Sequence, residues 1–111
     1  MQTNIIVKWD QEGQHCWPEA PDEYAILRAP HKHIFHFEVY LPVDKSRQVE
    51  FLHFRRLMIN HMTALGGDFG TDSCEQIAKE MMLAITDLYH TRPSRVVVLE
   101  DAFVGAEICD Y

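Results

Sequence analysis

The sequence predicts an α+β domain in which an antiparallel four-stranded sheet carries two helices on one face, in the order ββααββ. Apolar residues alternate with period two near both ends of the chain, as in half-buried strands. In the middle of the chain the apolar period changes to that of a helix. Two hairpins packed against two helices give one core, and 111 residues suit a single domain over residues 1–111.

The first half of the chain predicts two strands separated by a long loop. In residues 3–10, Ile5, Val7 and Trp9 alternate with the intervening side chains. Residues 11–30 contain three prolines and several acids, which is typical of a loop. Residues 32–41 are rich in Phe, Ile, Val and Tyr, and Pro42 closes this second strand.

The second half predicts two helices and then two strands. Residues 49–65 have helical periodicity and end at Gly66-Gly67, and the next helix begins near Ser73, which has capping-box spacing to Gln76. The apolar stripe expected on the first helix is Phe54, Leu57, Met58, His61 and Leu65. That on the second helix is Ile77, Ala78, Met81, Ile85 and Leu88. Residues 95–101 form the third strand, and Gly105 marks a turn into a last strand over residues 106–111.

Composition excludes several classes of partner. The net charge is −7 and the basic residues are scattered, which argues against binding to nucleic acid. No apolar run approaches the roughly 20 residues of a membrane helix, and the N-terminal residues lack a secretory pattern, so no membrane partner is expected. Three cysteines without a C-x-x-C motif do not form a disulfide scaffold, which favours a reducing, cytoplasmic location.

The pair His31-Lys32-His33 is the strongest chemical signal in the chain. Side chains two apart on a strand project from the same face, so both imidazoles start one strand together. His15, upstream, could complete a site of three nitrogens with one open position, which is the pattern of catalytic zinc. The alternative is that these are ordinary surface or hydrogen-bonded histidines.

Five stretches of the chain carry a family resemblance that spans nearly its whole length. They are residues 14–16, 31–33, 51–54, 73–78 and 96–100. In this order and at these separations, the sequence resembles the 6-pyruvoyl-tetrahydropterin synthase family, which includes the 6-carboxy-tetrahydropterin synthases of the queuosine pathway. The resemblance implies a tunnelling fold, in which three subunits close a barrel, two trimers stack into a homohexamer, and active sites lie between subunits.

The same resemblance implies a zinc-dependent lyase that acts on a reduced pterin of the dihydroneopterin triphosphate class. His15, His31 and His33 would bind Zn²⁺, Glu100 would hold the pterin ring, and Glu75 is a further candidate for substrate binding. A carboxylate can accept two parallel hydrogen bonds from the guanidine-like edge of a pterin, as it does from Arg. The alternative for Glu100 is a solvated or salt-bridged strand carboxylate.

The sequence departs from the family where the family transfers protons. No cysteine occurs in residues 26–30, just before His31, and Asp68 is followed by Phe69 where the family has a histidine. Lys32 replaces the glycine of the family's His-Gly-His motif, and His53 replaces an aspartate. The usual reaction is therefore in doubt.

Two residues are candidates to replace the missing proton-transfer groups. Cys16 adjoins a predicted zinc ligand, and a nearby cation would favour its thiolate. Glu23, like its loop neighbours Glu19 and Asp22, could act as a general base if the site excluded water from it. A packed thiol and solvated loop acids are the alternatives.

The competing functions are a catalytically inactive homologue that binds zinc and a pterin or purine, and an oligomer without any ligand.

Overall fold

Four antiparallel strands form one sheet in the computed structural model, which describes residues 1–110. The elements are β1 Thr3–His15, β2 His31–Val43, α1 Phe51–Ala64, α2 Cys74–Tyr89, β3 Arg95–Glu100 and β4 Val104–Cys109. A 3₁₀ segment, Asp22–Arg28, lies between β1 and β2. The strands are ordered β1-β2-β3-β4 across the sheet. This arrangement confirms the predicted α+β class and the ββααββ order.

Both helices cover the same face of the sheet. On β2 the alternate residues Phe35, Phe37 and Val39 are fully buried, which confirms the predicted inward face of this strand. Helix α1 packs mainly on β1, whereas α2 packs on β3 and β4. Within residues 1–110, no helix combines the length and the apolar character needed to cross a membrane.

The buried stripe of α1 differs from the predicted one. Phe54, Met58 and Met62 are buried, whereas Leu57, His61 and Leu65 are exposed. The helix lies along the edge strand β1, so only a narrow row of side chains four residues apart meets the sheet. The expectation that His61 lies in the core is therefore wrong.

Helix α2 begins as predicted. The Ser73 hydroxyl accepts a hydrogen bond from the backbone N–H of Gln76, and the Gln76 side chain accepts one from the backbone N–H of Ser73. The helix stops at Tyr89 because His90 adopts a left-handed conformation, with φ of 54°. Of the predicted stripe only Leu88 is exposed, since it lies in the last turn.

The first strand is longer than predicted. Residues 11–15 continue β1, and their pairing with β2 runs from Gln11 opposite Phe35 to His15 opposite His31. Residues 11–14 are Gln, Glu, Gly and Gln, which have little intrinsic preference for a strand. Pairing with the apolar β2 overrides that weak local preference, so only residues 16–30 connect the two strands.

The turn between β3 and β4 also differs from the prediction. Residues 101–103 form it, with Asp101 and Ala102 at φ of 54° and 60°. Gly105 lies inside β4, opposite Leu99, and β4 ends at Cys109. The predicted end of this strand, Tyr111, lies outside the described residues. A Cβ on Gly105 would lie 2.0 Å from the backbone oxygen of Val98, so the close approach of the two strands requires glycine here.

We expect Gly105→Ala to destabilise the protein by roughly 3 kcal/mol or more, because the clashing atom belongs to the backbone and cannot move aside. Urea unfolding measures the change. Lys79→Ala is the control, since Lys79 is exposed on α2 and its truncation should cost less than about 1 kcal/mol. Equal losses in the two variants would contradict this explanation.

The face of the sheet without helices carries a polar network centred on His36. Its Nδ1 lies 2.7 Å from Asp10 Oδ1, and its Nε2 lies 2.8 Å from Glu38 Oε2. The Tyr40 hydroxyl donates to the other oxygen of Glu38 at 2.7 Å. Partial burial acts to lower the pKa of His36, but the hydrogen bonds to Asp10 and Glu38 outweigh it and raise the pKa above its usual value.

The raised pKa of His36 predicts a pH-dependent contribution to stability. The stabilisation is complete below the unfolded-state pKa of about 6.5 and is lost as the pH rises through the folded-state pKa. The difference in unfolding free energy between wild type and His36→Gln should therefore shrink between mildly acidic and alkaline pH. Asn60→Gln, an exposed position of α1 without a titratable side chain, is the control and should show no such trend.

Candidate metal centre

Three histidines converge at the end of the sheet where β1 stops and β2 starts. His15 is the last residue of β1 and lies directly opposite His31, the first residue of β2. His33 is two residues further along β2, so it projects from the same face. One ring nitrogen from each of the three lies within 4.8 Å of the others. This cluster could hold a metal ion.

An oxygen acceptor holds the Nδ1 atom of each ring. The pairs are His15 with the Asp72 carbonyl (2.9 Å), His31 with the Ala29 carbonyl (3.0 Å) and His33 with the Asp101 carboxylate (2.8 Å). Carbonyl and carboxylate oxygens only accept hydrogen bonds, so each Nδ1 must carry the hydrogen. In the neutral rings every Nε2 then keeps a lone pair, which is how proteins prepare imidazoles for a metal.

The Nε2 atoms of the cluster fit a cation. Nε2 of His33 is buried and has no hydrogen-bond partner among the described residues. Nε2 of His15 lies only 2.9 Å from Oε1 of Glu100. With the hydrogen of His15 on Nδ1, these two atoms are both acceptors, so their close approach is favourable only with an added proton or a cation. The donor set therefore suits a divalent ion.

The segment between the helices fixes the position of His15. The backbone N–H groups of Gln14 and Cys16 donate to the Gly67 and Gly70 carbonyls, both at 2.8 Å. This docking brings the Asp72 carbonyl over the ring of His15. The segment thus acts as a short extension of the sheet beside the end of β1.

Aromatic side chains form the base of the cluster. Phe35 is fully buried, and its ring centroid lies 5.3 Å from that of His15 and 5.8 Å from that of His33. Phe69 packs edge-on against Phe35 at 4.9 Å. Phe69 is therefore part of the core, and its phenyl ring has no proton to transfer.

Glu100, the last residue of β3, lies against two of the three imidazoles. Its Oε2 is 3.4 Å from Nε2 of His33, a contact without the alignment of a hydrogen bond. The Cys74 thiol lies 3.7 Å from Oε1 as a hydrogen-bond donor. Burial, with the nearby Glu100 charge, raises the pKa of Cys74 to about 12, so this thiol stays protonated and is not a nucleophile.

A cavity of about 500 Å³ opens beside the cluster. Its walls are His15, Cys16, Trp17, Leu27, His31, Thr71, Asp72, Ser73, Glu75, Gln76 and Glu100. The volume is that of a small-molecule site. A separate cavity of about 530 Å³ lies at the other end of the β1–β2 pair, near Thr3, Val43 and Phe51, and is remote from the histidines.

The structure brings most of the predicted site residues together. Glu100 contacts the histidine cluster, and Cys16 and Glu75 line the cavity. Glu23 is exposed on the 3₁₀ segment, and the cavity wall, taken over residues 1–110, does not include it.

Sequence reasoning missed Asp101. Its carboxylate contacts His33 Nδ1 and also accepts the backbone N–H of Ile34 at 3.0 Å. The sequence did contain a signal for it: Asp101 directly follows a predicted strand, and aspartate tolerates the left-handed conformation of a turn.

Comparison of the sequence with models of known protein families gives no match, and comparison with curated proteins gives no similar sequence.

We expect Asp101→Asn to weaken metal binding at the histidine cluster by roughly 10- to 100-fold, with Zn²⁺ as the probe ion, because the amide cannot accept from both Ile34 N–H and His33 Nδ1–H. Competition with a coloured chelator measures the affinity. Asp10→Asn is the matched control, since it removes the same type of contact from His36, outside the cluster. Equal zinc affinity in the two variants would show that Asp101 does not support the site.

Proposed function

We propose that this protein is a zinc-dependent enzyme of the 6-pyruvoyl- or 6-carboxy-tetrahydropterin synthase kind, which acts on a reduced pterin as a carbon–oxygen or carbon–carbon lyase. The observation that carries the proposal is the convergence of three imidazoles, each held through Nδ1, beside a cavity of ligand size. His15, His31 and His33 hold the zinc. A zinc ion bound by three neutral imidazoles keeps its positive charge and polarises a carbonyl or hydroxyl of the substrate side chain.

The walls of the cavity offer the chemistry that a pterin ring needs. Trp17 is half exposed there and presents a flat apolar surface suited to stacking on a bicyclic ring. Glu100 accepts two parallel hydrogen bonds from the guanidine-like edge of the ring, and Glu75 provides a second carboxylate on the same wall. These features favour a flat heterocycle that is rich in N–H donors.

Cys16 and Glu75 are the candidates for proton transfer. Both line the cavity, and Cys16 is covalently next to the zinc ligand His15. Glu23 is a weaker candidate because it lies on the exposed 3₁₀ segment. In this proposal Cys16 acts as a thiolate that takes a proton from the substrate side chain, and a protonated carboxyl group, that of Glu75, donates a proton to another atom of that side chain.

A second candidate function is a homologue that binds zinc and a pterin or purine without catalysis. Two observations favour it. Leu27, an apolar residue with no proton to transfer, lines the cavity in the segment where the family carries its cysteine. Phe69 is packed into the core where the family carries a histidine. Recognition groups are thus retained while the usual proton-transfer groups are absent from residues 1–110.

We also propose a homo-oligomer of the tunnelling-fold type, a trimer or hexamer. Strands β1 and β4 are the two edges of the sheet, and edges of this kind can pair with another copy of the chain. Phe103 and Val104, at the start of β4, are apolar and largely exposed. A cytoplasmic location is part of the same proposal, because Cys16, Cys74 and Cys109 are free thiols.

Metal analysis and a turnover assay test the proposed function. Purified protein should contain about one zinc per chain, and His31→Ala should lose most of it while remaining folded. Zinc-loaded protein should convert 7,8-dihydroneopterin triphosphate. Glu100→Ala, assayed at saturating zinc, should weaken binding of this substrate far more than it lowers the unfolding temperature.

His36→Ala is the matched control, since His36 lies on the opposite face of the sheet and should affect neither zinc content nor turnover. Binding of pterins without conversion would favour the second candidate. Folded protein that binds neither zinc nor pterins would rule out both candidates.

A further inference from the structure

The Glu100 carboxylate has two possible sets of partners, the ring of the ligand and the histidines, and it cannot bind both at the same time. As a ring anchor it must offer both oxygens to the N–H groups of the ligand. In the structure both oxygens face the histidines, at 2.9 Å from His15 Nε2 and 3.4 Å from His33 Nε2. The Cys74 thiol contacts Oε1 from the other side. The carboxylate is therefore turned toward the metal ligands and away from a hydrogen-bonding role at the ring.

Each of these two contacts is short enough for its two atoms to bind the same metal ion. Two ligand atoms at ordinary nitrogen and oxygen bond lengths from a tetrahedral zinc are separated by about 3.3 Å. The two Nε2–Oε separations at Glu100, 2.9 and 3.4 Å, lie on either side of that value. A hydrogen bond does not explain the second contact, because Nε2 of His33 has no aligned partner among the described residues.

The charges at the site also favour binding of the metal ion by the Glu100 carboxylate. Three neutral imidazoles leave a divalent ion with its full charge, and one carboxylate neutralises half of it. The side chain of Glu100 is only 24% exposed, and its contacts to the described residues are with His15, His33 and the Cys74 thiol. An ionised carboxylate in this setting is most stable when a cation binds it directly.

We propose that Glu100 is an exchangeable fourth protein ligand of the metal: it completes the coordination in the absence of substrate and turns to the ring edge when a pterin binds. The exchange rests on the proposed function, whereas the ligation itself does not. A site with four protein ligands is closed, and a catalytic site needs an open position. Recognition of the ring by Glu100 would thus open that position only when the correct ligand is present.

The first experiment uses the metal alone. Glu100→Gln should weaken zinc affinity at least about tenfold. Replacing a residue that only supports a metal ligand already weakens binding by about this much. In cobalt-substituted protein the same variant should change the visible absorption spectrum, which reports the ligands of the ion. Glu75→Gln is the matched control, since Glu75 lines the same cavity but, within residues 1–110, forms no ion pair with a histidine as Glu100 does. Unchanged affinity and spectrum in Glu100→Gln would overturn the ligation.

The second experiment adds pterin to the cobalt-substituted protein. Binding, followed by quenching of pterin fluorescence, should change the cobalt spectrum of the wild type. At pterin concentrations that saturate the variant by the same quenching signal, the spectrum of Glu100→Gln should stay nearly unchanged. Pterin that binds without altering the wild-type spectrum would overturn the exchange. No binding of pterin would overturn the proposed function and the exchange together, while the zinc affinities would still decide the ligation.

Discussion

The antiparallel register between β1 and β2 is the constraint on which the rest of the site depends. It places His15 directly opposite His31, and the period of two along β2 adds His33 on the same face. A slip by one residue would turn these side chains to the other face. The buried row Phe35, Phe37 and Val39 prevents such a slip, because it would expose three large apolar side chains. The core thus fixes the geometry of the candidate metal centre.

Contacts from three separate parts of the chain then orient the rings. The Asp72 carbonyl, the Ala29 carbonyl and the Asp101 carboxylate each accept from one imidazole. They come from the interhelical segment, the β1–β2 connection two residues before β2 begins, and the β3–β4 turn. Since each holds Nδ1, the Nε2 atoms remain for a metal, and the cluster is prepared before any ion arrives. A surface histidine held by a single solvated contact would not have this arrangement.

The site contains more groups that can bind a ligand than groups that can transfer a proton. Glu100 lies within contact of two imidazoles, and Trp17 and Glu75 line a cavity of ligand size. Leu27, on the cavity wall, and Phe69, which packs against Phe35 in the core, have no proton to transfer. Cys16 is therefore the thiol to which the enzymatic proposal is tied, because the other cysteine near the site, Cys74, is held protonated.

Local sequence determined the elements of this protein, and tertiary pairing decided their limits. Strong patterns involve only a few neighbouring residues, so the elements they form could be predicted from the sequence. Examples are the alternation of apolar residues in β2 and the capping box at Ser73. The extension of β1 to His15 could not, because residues 11–14 are weak strand formers that only pairing with β2 makes regular. Spacing indicated three metal-binding histidines. The sequence did not indicate that Asp101 would hold His33, or that the Glu100 side chain would point toward the histidines. Both depend on contacts between residues far apart in the chain, which no local pattern encodes.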